Sequence, residues 1–117
     1  MKAFVNYFAY GSNMSLRRLR ARVPEARPVG GAMLQGHELR FHKRGKDGSG
    51  KCDAFAVEQG EARMWGVVFE IPRSDKAVLD SIEGLGAGYA EKRVSLLRQR
   101  GGWTTALTYY AVSYTHL

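Results

Sequence analysis

Glycines and turn residues divide the chain into short runs of aromatic and β-branched residues, and only two stretches carry a helical pattern. That arrangement confines the fold to a strand-dominated one. Lys2–Tyr10 is rich in Phe, Val, Tyr and Ala without clean alternation, which suits a buried first strand, and Gly11, Ser12 and Asn13 break it. Arg27–His42 reads as extended segments broken near Gly36. Arg44–Lys51 holds three glycines and no large apolar side chain, so it reads as a mobile loop. Cys52–Glu58 and Ala62–Ile71 form an expected hairpin around Gln59-Gly60, with Met64–Phe69 as a central strand. Tyr89–Leu97 and Trp103–Val112 follow, joined by a turn at Arg100-Gly101-Gly102.

The two helices have recognisable ends. The first follows Asn13, capped by Ser12, Asn13 or Ser15, with Met14, Leu16 and Leu19 on one face and four arginines on the other. Pro24 ends it. The second follows Pro72, with Ser74 as N-cap and Asp75 in the first turn. Val78, Leu79 and Ile82 form its apolar stripe, and Gly84 is a natural stop. About six to seven strands with two helices make an α+β domain. Neither an internal repeat nor an interdomain linker interrupts 1–117, so the expectation is a single domain.

Composition excludes several classes. With 44% hydrophobic and 25% charged residues among 117, the chain is an ordinary globular one. No apolar run reaches the length of a membrane span. A single cysteine, Cys52, permits no intrachain disulfide, and the expected location is the cytoplasm. The net charge of +7 is concentrated between Arg17 and Lys51, where ten Lys/Arg face three acids; elsewhere the signs balance at eight each. Such a field attracts nucleic acid or small anions. It also simply keeps a protein soluble, and no nucleic-acid recognition module accompanies it.

Two segments have the residue types for chemistry. In Tyr7–Met14 a strand runs through Tyr10-Gly11-Ser12-Asn13 into a helix, exposing backbone N–H groups that suit an anion or a developing oxyanion. A plain strand-to-helix turn has the same residues. In Leu79–Tyr89, Glu83 stands at the C-terminal end of a helix, three residues after Asp80. Helix dipole and like charge both push a carboxyl there toward the proton-binding range of a general base. An exposed helix-end glutamate is the competing reading. His37, His42 and His116 lack metal-ligand spacing among themselves or with Cys52, which has no activating neighbour in sequence, and no metal site is expected.

Taken together these segments resemble the γ-glutamylcyclotransferase-like superfamily. The resemblance rests on Phe8-Ala9-Tyr10-Gly11-Ser12-Asn13-Met14, on Met64-Trp65-Gly66-Val67-Val68, and on Leu79–Gly84 followed by Gly88-Tyr89, in that order. It implies a compact, mixed, barrel-like α+β fold and a cofactor-free cyclisation of a γ-glutamyl amino acid or amine to 5-oxoproline. Glu83 would be the acid/base, and Tyr10, Gly11, Ser12 and Asn13 the substrate cradle, acting largely through backbone groups. Tyr89 and Tyr110 would line the pocket. The partner implied is the small-molecule γ-glutamyl substrate; oligomeric state and leaving group stay open, as does the loop's ligand, α-carboxylate or oxyanion. Relatives commonly continue past the last strand, whereas this chain stops at Ser113–Leu117 without a helix, which reads as a truncated end or an unrelated tail. The alternative to an enzyme is a non-catalytic small-molecule-binding domain of the same fold.

Overall fold

The computed structural model describes residues 3–42, 51–58 and 60–112. Among them are seven strands: β1 (Phe4–Ala9), β2 (Arg27–Gln35), β3 (His37–His42), β4 (Lys51–Ala56), β5 (Arg63–Pro72), β6 (Tyr89–Arg98) and β7 (Trp103–Ala111). Two α-helices accompany them, α1 (Leu16–Arg20) and α2 (Lys76–Glu83). Five strands close a barrel in the order β1-β5-β2-β6-β7, and a separate ribbon pairs β3 with β4. Closure is made by a parallel contact of β1 with β7 at Tyr7 and Leu107. The other pairings between these strands are antiparallel. The expected α+β, strand-rich, barrel-like fold is the one observed.

Strand pairing departs from the expected hairpin. Cys52–Glu58 does not pair with Ala62–Ile71; β4 pairs with β3, from His37 opposite Ala56 to His42 opposite Lys51. The reason is that both edges of β5 are already occupied, by β1 and by β2. Gly36, at φ 71, turns the chain out of β2 and into the ribbon. The segment read as a loop, Arg44–Lys51, lies outside the described residues except for Lys51, the first residue of β4.

Alternation along the strands sorts the core into two layers. Tyr7, Ala9, Phe69, Ile71, Leu107 and Tyr109 pack with Leu19 of α1 and Leu79 of α2, so this layer lies on the outer wall beneath the helices. Their neighbours Phe8, Tyr10, Val68 and Ala106 pack with Leu34, Met64, Leu96 and with Ala54 of the ribbon. Those side chains fill the barrel. A five-stranded barrel is too narrow to leave an open lumen once its inward residues are this large.

Helix ends match in part. Ser15 caps α1, its Oγ accepting from the Arg18 amide at 3.3 Å. Gly84 stops α2 in the left-handed conformation at φ 80. Ser74, expected as an N-cap, instead sits in a 3₁₀ turn, Arg73–Asp75, that separates β5 from α2. That turn begins with the Arg73 amide bonded to the Ala3 carbonyl, so the chain completes its last sheet-side contact before it coils. Of the predicted apolar stripe only Leu79 is buried, while Val78 and Ile82 are exposed, because an eight-residue helix meets the barrel wall along one turn. No helix among the described residues is long and apolar enough to cross a membrane.

Candidate active site

Glu83 is the last residue of α2, held there by the local chemistry of a helix stop. Gly84 takes the left-handed turn, and the Gly84 and Leu85 amides bond back to the Ser81 and Asp80 carbonyls. The helix thereby delivers a half-buried carboxylate to the outer wall of the barrel, directly over β1. Tyr7 meets it, donating its phenolic hydrogen to Oε1 of Glu83. Tyr7 is only 2% exposed, and its ring stacks near Phe69 and meets Tyr109 edge-on at 5.9 Å. Burial first, and the adjacent Glu83 second, push the Tyr7 phenol well above its ordinary range. Both influences favour the neutral phenol, the form that donates to Glu83.

A parallel arrangement holds Asp80 one turn earlier. Tyr109 donates to Asp80 Oδ1 at 2.6 Å, and Lys76 reaches the same oxygen at 2.6 Å and Glu91 at 2.9 Å. Burial draws the Lys76 ammonium down, but its bonds to Asp80 and Glu91 more than offset this and leave it raised. The charge of Asp80, expected to bear on Glu83, is thus matched by Lys76. Burial and then the bond to Asp80 push the Tyr109 phenol up. Two carboxylates of one helix, Asp80 and Glu83, are each anchored by a phenol rising from the barrel.

Beside Glu83 opens a cleft of about 490 Å³ between the two helices. Tyr7 forms its floor, with Arg18, Leu19, Ala21 and Arg22 on one side and Ser81, Ile82 and Glu83 on the other. Sequence reasoning had not given a role to Tyr7, Tyr109, Arg18 or Arg22. Tyr7 opens the Tyr7–Met14 segment, one residue before the family motif begins, and its alternation with Ala9 on one strand face was the available signal.

The other expected site residues fall around this centre in different ways. Tyr10 is 4% exposed and points into the barrel, donating to the Tyr109 carbonyl at 2.5 Å and accepting from the Ala54 amide at 3.2 Å. Burial and then nearby Asp53 raise its phenol, and Glu83 and Tyr89 add to that rise. Its side chain is a brace tying β1 to β7 and to the ribbon. Gly11, with φ 60, opens the 3₁₀ turn Gly11–Met14. The side chains of Ser12 and Asn13 lie outside the described residues. Tyr89 begins β6, packs on the outer layer and lies against Gly84, where an added Cβ would meet its ring at 3.7 Å. Tyr110 faces the other way from Tyr109 and carries the Lys92 ammonium 4.8 Å over its ring. Of the expected site residues Glu83 lines the cleft, over Tyr7; Tyr89 packs on the outer layer against Gly84, Tyr10 lies inside the barrel, and Tyr110 turns toward the ribbon side. Among the described residues no group of three or more His, Cys, Asp or Glu could hold a metal.

A family model described as gamma-glutamyl cyclotransferase, AIG2-like, matches residues 7–116. The chain belongs to this family. It is 33% identical over 112 residues to a gamma-glutamylcyclotransferase of Bos taurus, and 33% identical over 113 residues to one of Homo sapiens. Each alignment takes in 92% of this chain, which spans 60% of the length of each relative. A solved gamma-glutamyl cyclotransferase structure superposes with a TM-score of 0.85 at 30% identity, covering 96% of this chain and 69% of that one.

Proposed function

We propose that this chain is a γ-glutamyl cyclotransferase with Glu83 as its general acid/base. The observation that carries the reading is the placement of Glu83 at the wall of the helix-lined cleft, pinned by the buried Tyr7 phenol, in a chain of this family. The substrate is a γ-glutamyl amino acid or amine. Its own α-amino nitrogen attacks the γ-carbonyl carbon, a five-membered lactam closes, and the bond from that carbon to the leaving nitrogen breaks. The products are 5-oxoproline and the released amine. The nucleophile is already attached, so the protein's task is to hold the folded near-attack conformer and to move protons. Glu83 takes a proton from the α-ammonium and returns one to the leaving nitrogen, a role worth about 10²–10⁴-fold. Backbone amides of the Gly11–Asn13 turn are typed for the substrate's α-carboxylate or for the oxyanion on the γ-carbon. Cys52 as the lone cysteine supports a cytoplasmic setting for the reaction.

The test is 5-oxoproline release from a panel of γ-glutamyl amino acids and amines, wild type beside Glu83→Gln. The variant keeps shape and loses the base, and its turnover should fall by about 10²–10⁴-fold. Turnover by the variant at the wild-type rate would remove Glu83 from the reaction.

A further inference from the structure

The cleft carries more positive charge than the acid/base chemistry uses. Arg18 of α1 and Arg22, in the turn that follows that helix, both line the cleft opposite Glu83. Neither guanidinium has a hydrogen-bond or ion-pair partner among the described residues. This contrasts with basic side chains nearby. Arg20 bonds the Ala26 carbonyl at 2.8 Å, Arg27 pairs with Glu70 at 2.7 Å, and Lys76 is shared between Asp80 and Glu91. The basic stretch of the sequence therefore divides by position: Arg20 and Arg27 are committed to the fold, while Arg18 and Arg22 are uncommitted and face the cleft.

Charge balance points to their use. Among the described lining residues two guanidinium groups stand against one carboxylate, Glu83, a surplus of one positive charge. The γ-glutamyl group is the same in every substrate and neutral overall before reaction, its α-ammonium and α-carboxylate cancelling, so charge differences between substrates lie in the leaving portion. Guanidinium forks match carboxylates in geometry as well as sign.

Resting on the cyclotransferase reading, we infer that Arg18 and Arg22 form an anion subsite that selects γ-glutamyl substrates by negative charge on the leaving portion. Leaving portions bearing carboxylates with no compensating cation are preferred, and an acidic amino acid with two carboxylates is preferred over a neutral one with a single carboxylate. A γ-glutamyl amine whose free end is cationic is disfavoured. The two arginines act in binding and contribute to KM, since neither touches the atoms that exchange protons.

The experiment compares γ-glutamyl-alanine amide, γ-glutamyl-alanine and γ-glutamyl-glutamate, whose leaving portions carry zero, one and two negative charges. Steady-state rates are read for wild type, Arg18→Gln, Arg22→Gln, the double variant, and Arg17→Gln, an exposed arginine of the same helix outside the cleft. Wild-type kcat/KM should rise severalfold with each charge through KM. The double variant should lose about tenfold toward the dianion and little toward the amide, the scale of two solvent-exposed ion pairs. Added salt should compress the wild-type preference. A flat wild-type series would overturn the inference, and so would an equal loss in Arg17→Gln, because that marks a diffuse surface field. Calorimetric binding of the same three compounds to Glu83→Gln reads the charge preference without turnover. If wild type turns over none of them while the Glu83→Gln binding order still follows charge, the reaction assignment fails and the subsite stands; binding without charge preference overturns the subsite whatever the rates.

Discussion

Replacing Tyr7 by Phe removes one oxygen from the buried floor of the cleft and leaves every ring contact in place. The phenyl ring still packs on Phe69 and still meets Tyr109 edge-on. What is lost is the donor to Oε1 of Glu83. A hydrogen bond to a charged group contributes about 1.5–3 kcal/mol net, which bounds the stability cost. The catalytic cost is separate and arises because the carboxylate, without this donor, is held less firmly toward the substrate. A tenfold fall in kcat, about 1.4 kcal/mol of transition-state positioning, is the expected scale. It must stay below the 10²–10⁴-fold attributed to the acid/base itself.

The pH profile separates positioning from mere packing. Donation by Tyr7 favours the ionised carboxylate, so removing it keeps Glu83 protonated to higher pH. The acid limb of kcat should therefore move upward in Tyr7→Phe, with KM nearly unchanged. Tyr7 itself contributes no limb, since burial and Glu83 hold its phenol well above the ordinary range. Tyr109→Phe is the control: it strips the donor from Asp80 and leaves that of Glu83, so melting temperature should drop without displacement of the limb. Were Tyr7→Phe to melt lower yet retain wild-type kcat and an unmoved acid limb, the assignment of Tyr7 as the positioning residue of Glu83 would be refuted.

Two further outcomes test the scaffold. Gly66→Ala should lose about 1–3 kcal/mol or more in chemical denaturation, because a methyl there meets the Phe8 ring at 2.6 Å and the Ala9 carbonyl more closely still. Unchanged stability would show that β1 and β5 can separate at no cost. His37 donates from Nδ1 to the Gln35 carbonyl at 2.9 Å and accepts at Nε2 from Lys92 at 2.8 Å, a pairing that requires the neutral ring. Burial first, opposed by the Gln35 carbonyl and Asp53 and reinforced by Lys92, holds the ring below the ordinary 6.5. A lowered folded-state value means stability present above pH 6.5 and lost as pH falls through the folded value. His37→Gln should flatten the acid-side decline of melting temperature, and identical slopes for the two proteins would count against the pairing.

Local features were legible in the sequence, and long-range ones less so. Gly84 as a helix stop and Ser15 as a cap depend on a few adjacent residues, and the structure has both. Strand identity was readable from composition because β-branched and aromatic runs need a pleated, packed surface. Pairing was not, because nearness in sequence suggested that β4 would fold onto β5. The barrel instead gives both edges of β5 to strands that begin about 40 to 60 residues earlier. Arg18 and Arg22 were read as the solvated face of a surface helix. They are exposed, but the solvent they meet is the cleft opposite Glu83, and only the packing of both helices on the same barrel wall reveals that.

An odd-numbered offset along the strand separates the roles of nearby tyrosines, and it explains why the motif drew attention to Tyr10 while the carboxylate is met by Tyr7. Successive residues of a strand point to opposite faces. Tyr10 therefore enters the filled barrel and binds backbone of β7 and β4, while Tyr7, three residues earlier, faces the helices. The same alternation on β7 sends Tyr109 to Asp80 and turns the adjacent Tyr110 toward Lys92. Because the barrel interior is occupied, a site can form only at its rim or on its outer wall, and the wall needs helices to make a concavity. The two short helices supply that concavity, and the stop at Gly84 sets how far Glu83 extends into it. A residue added to α2 before Gly84 would rotate the terminal carboxylate by about 100° and take it off Tyr7. Register at the helix end, rather than helix stability, is thus what holds the candidate acid/base over its phenol.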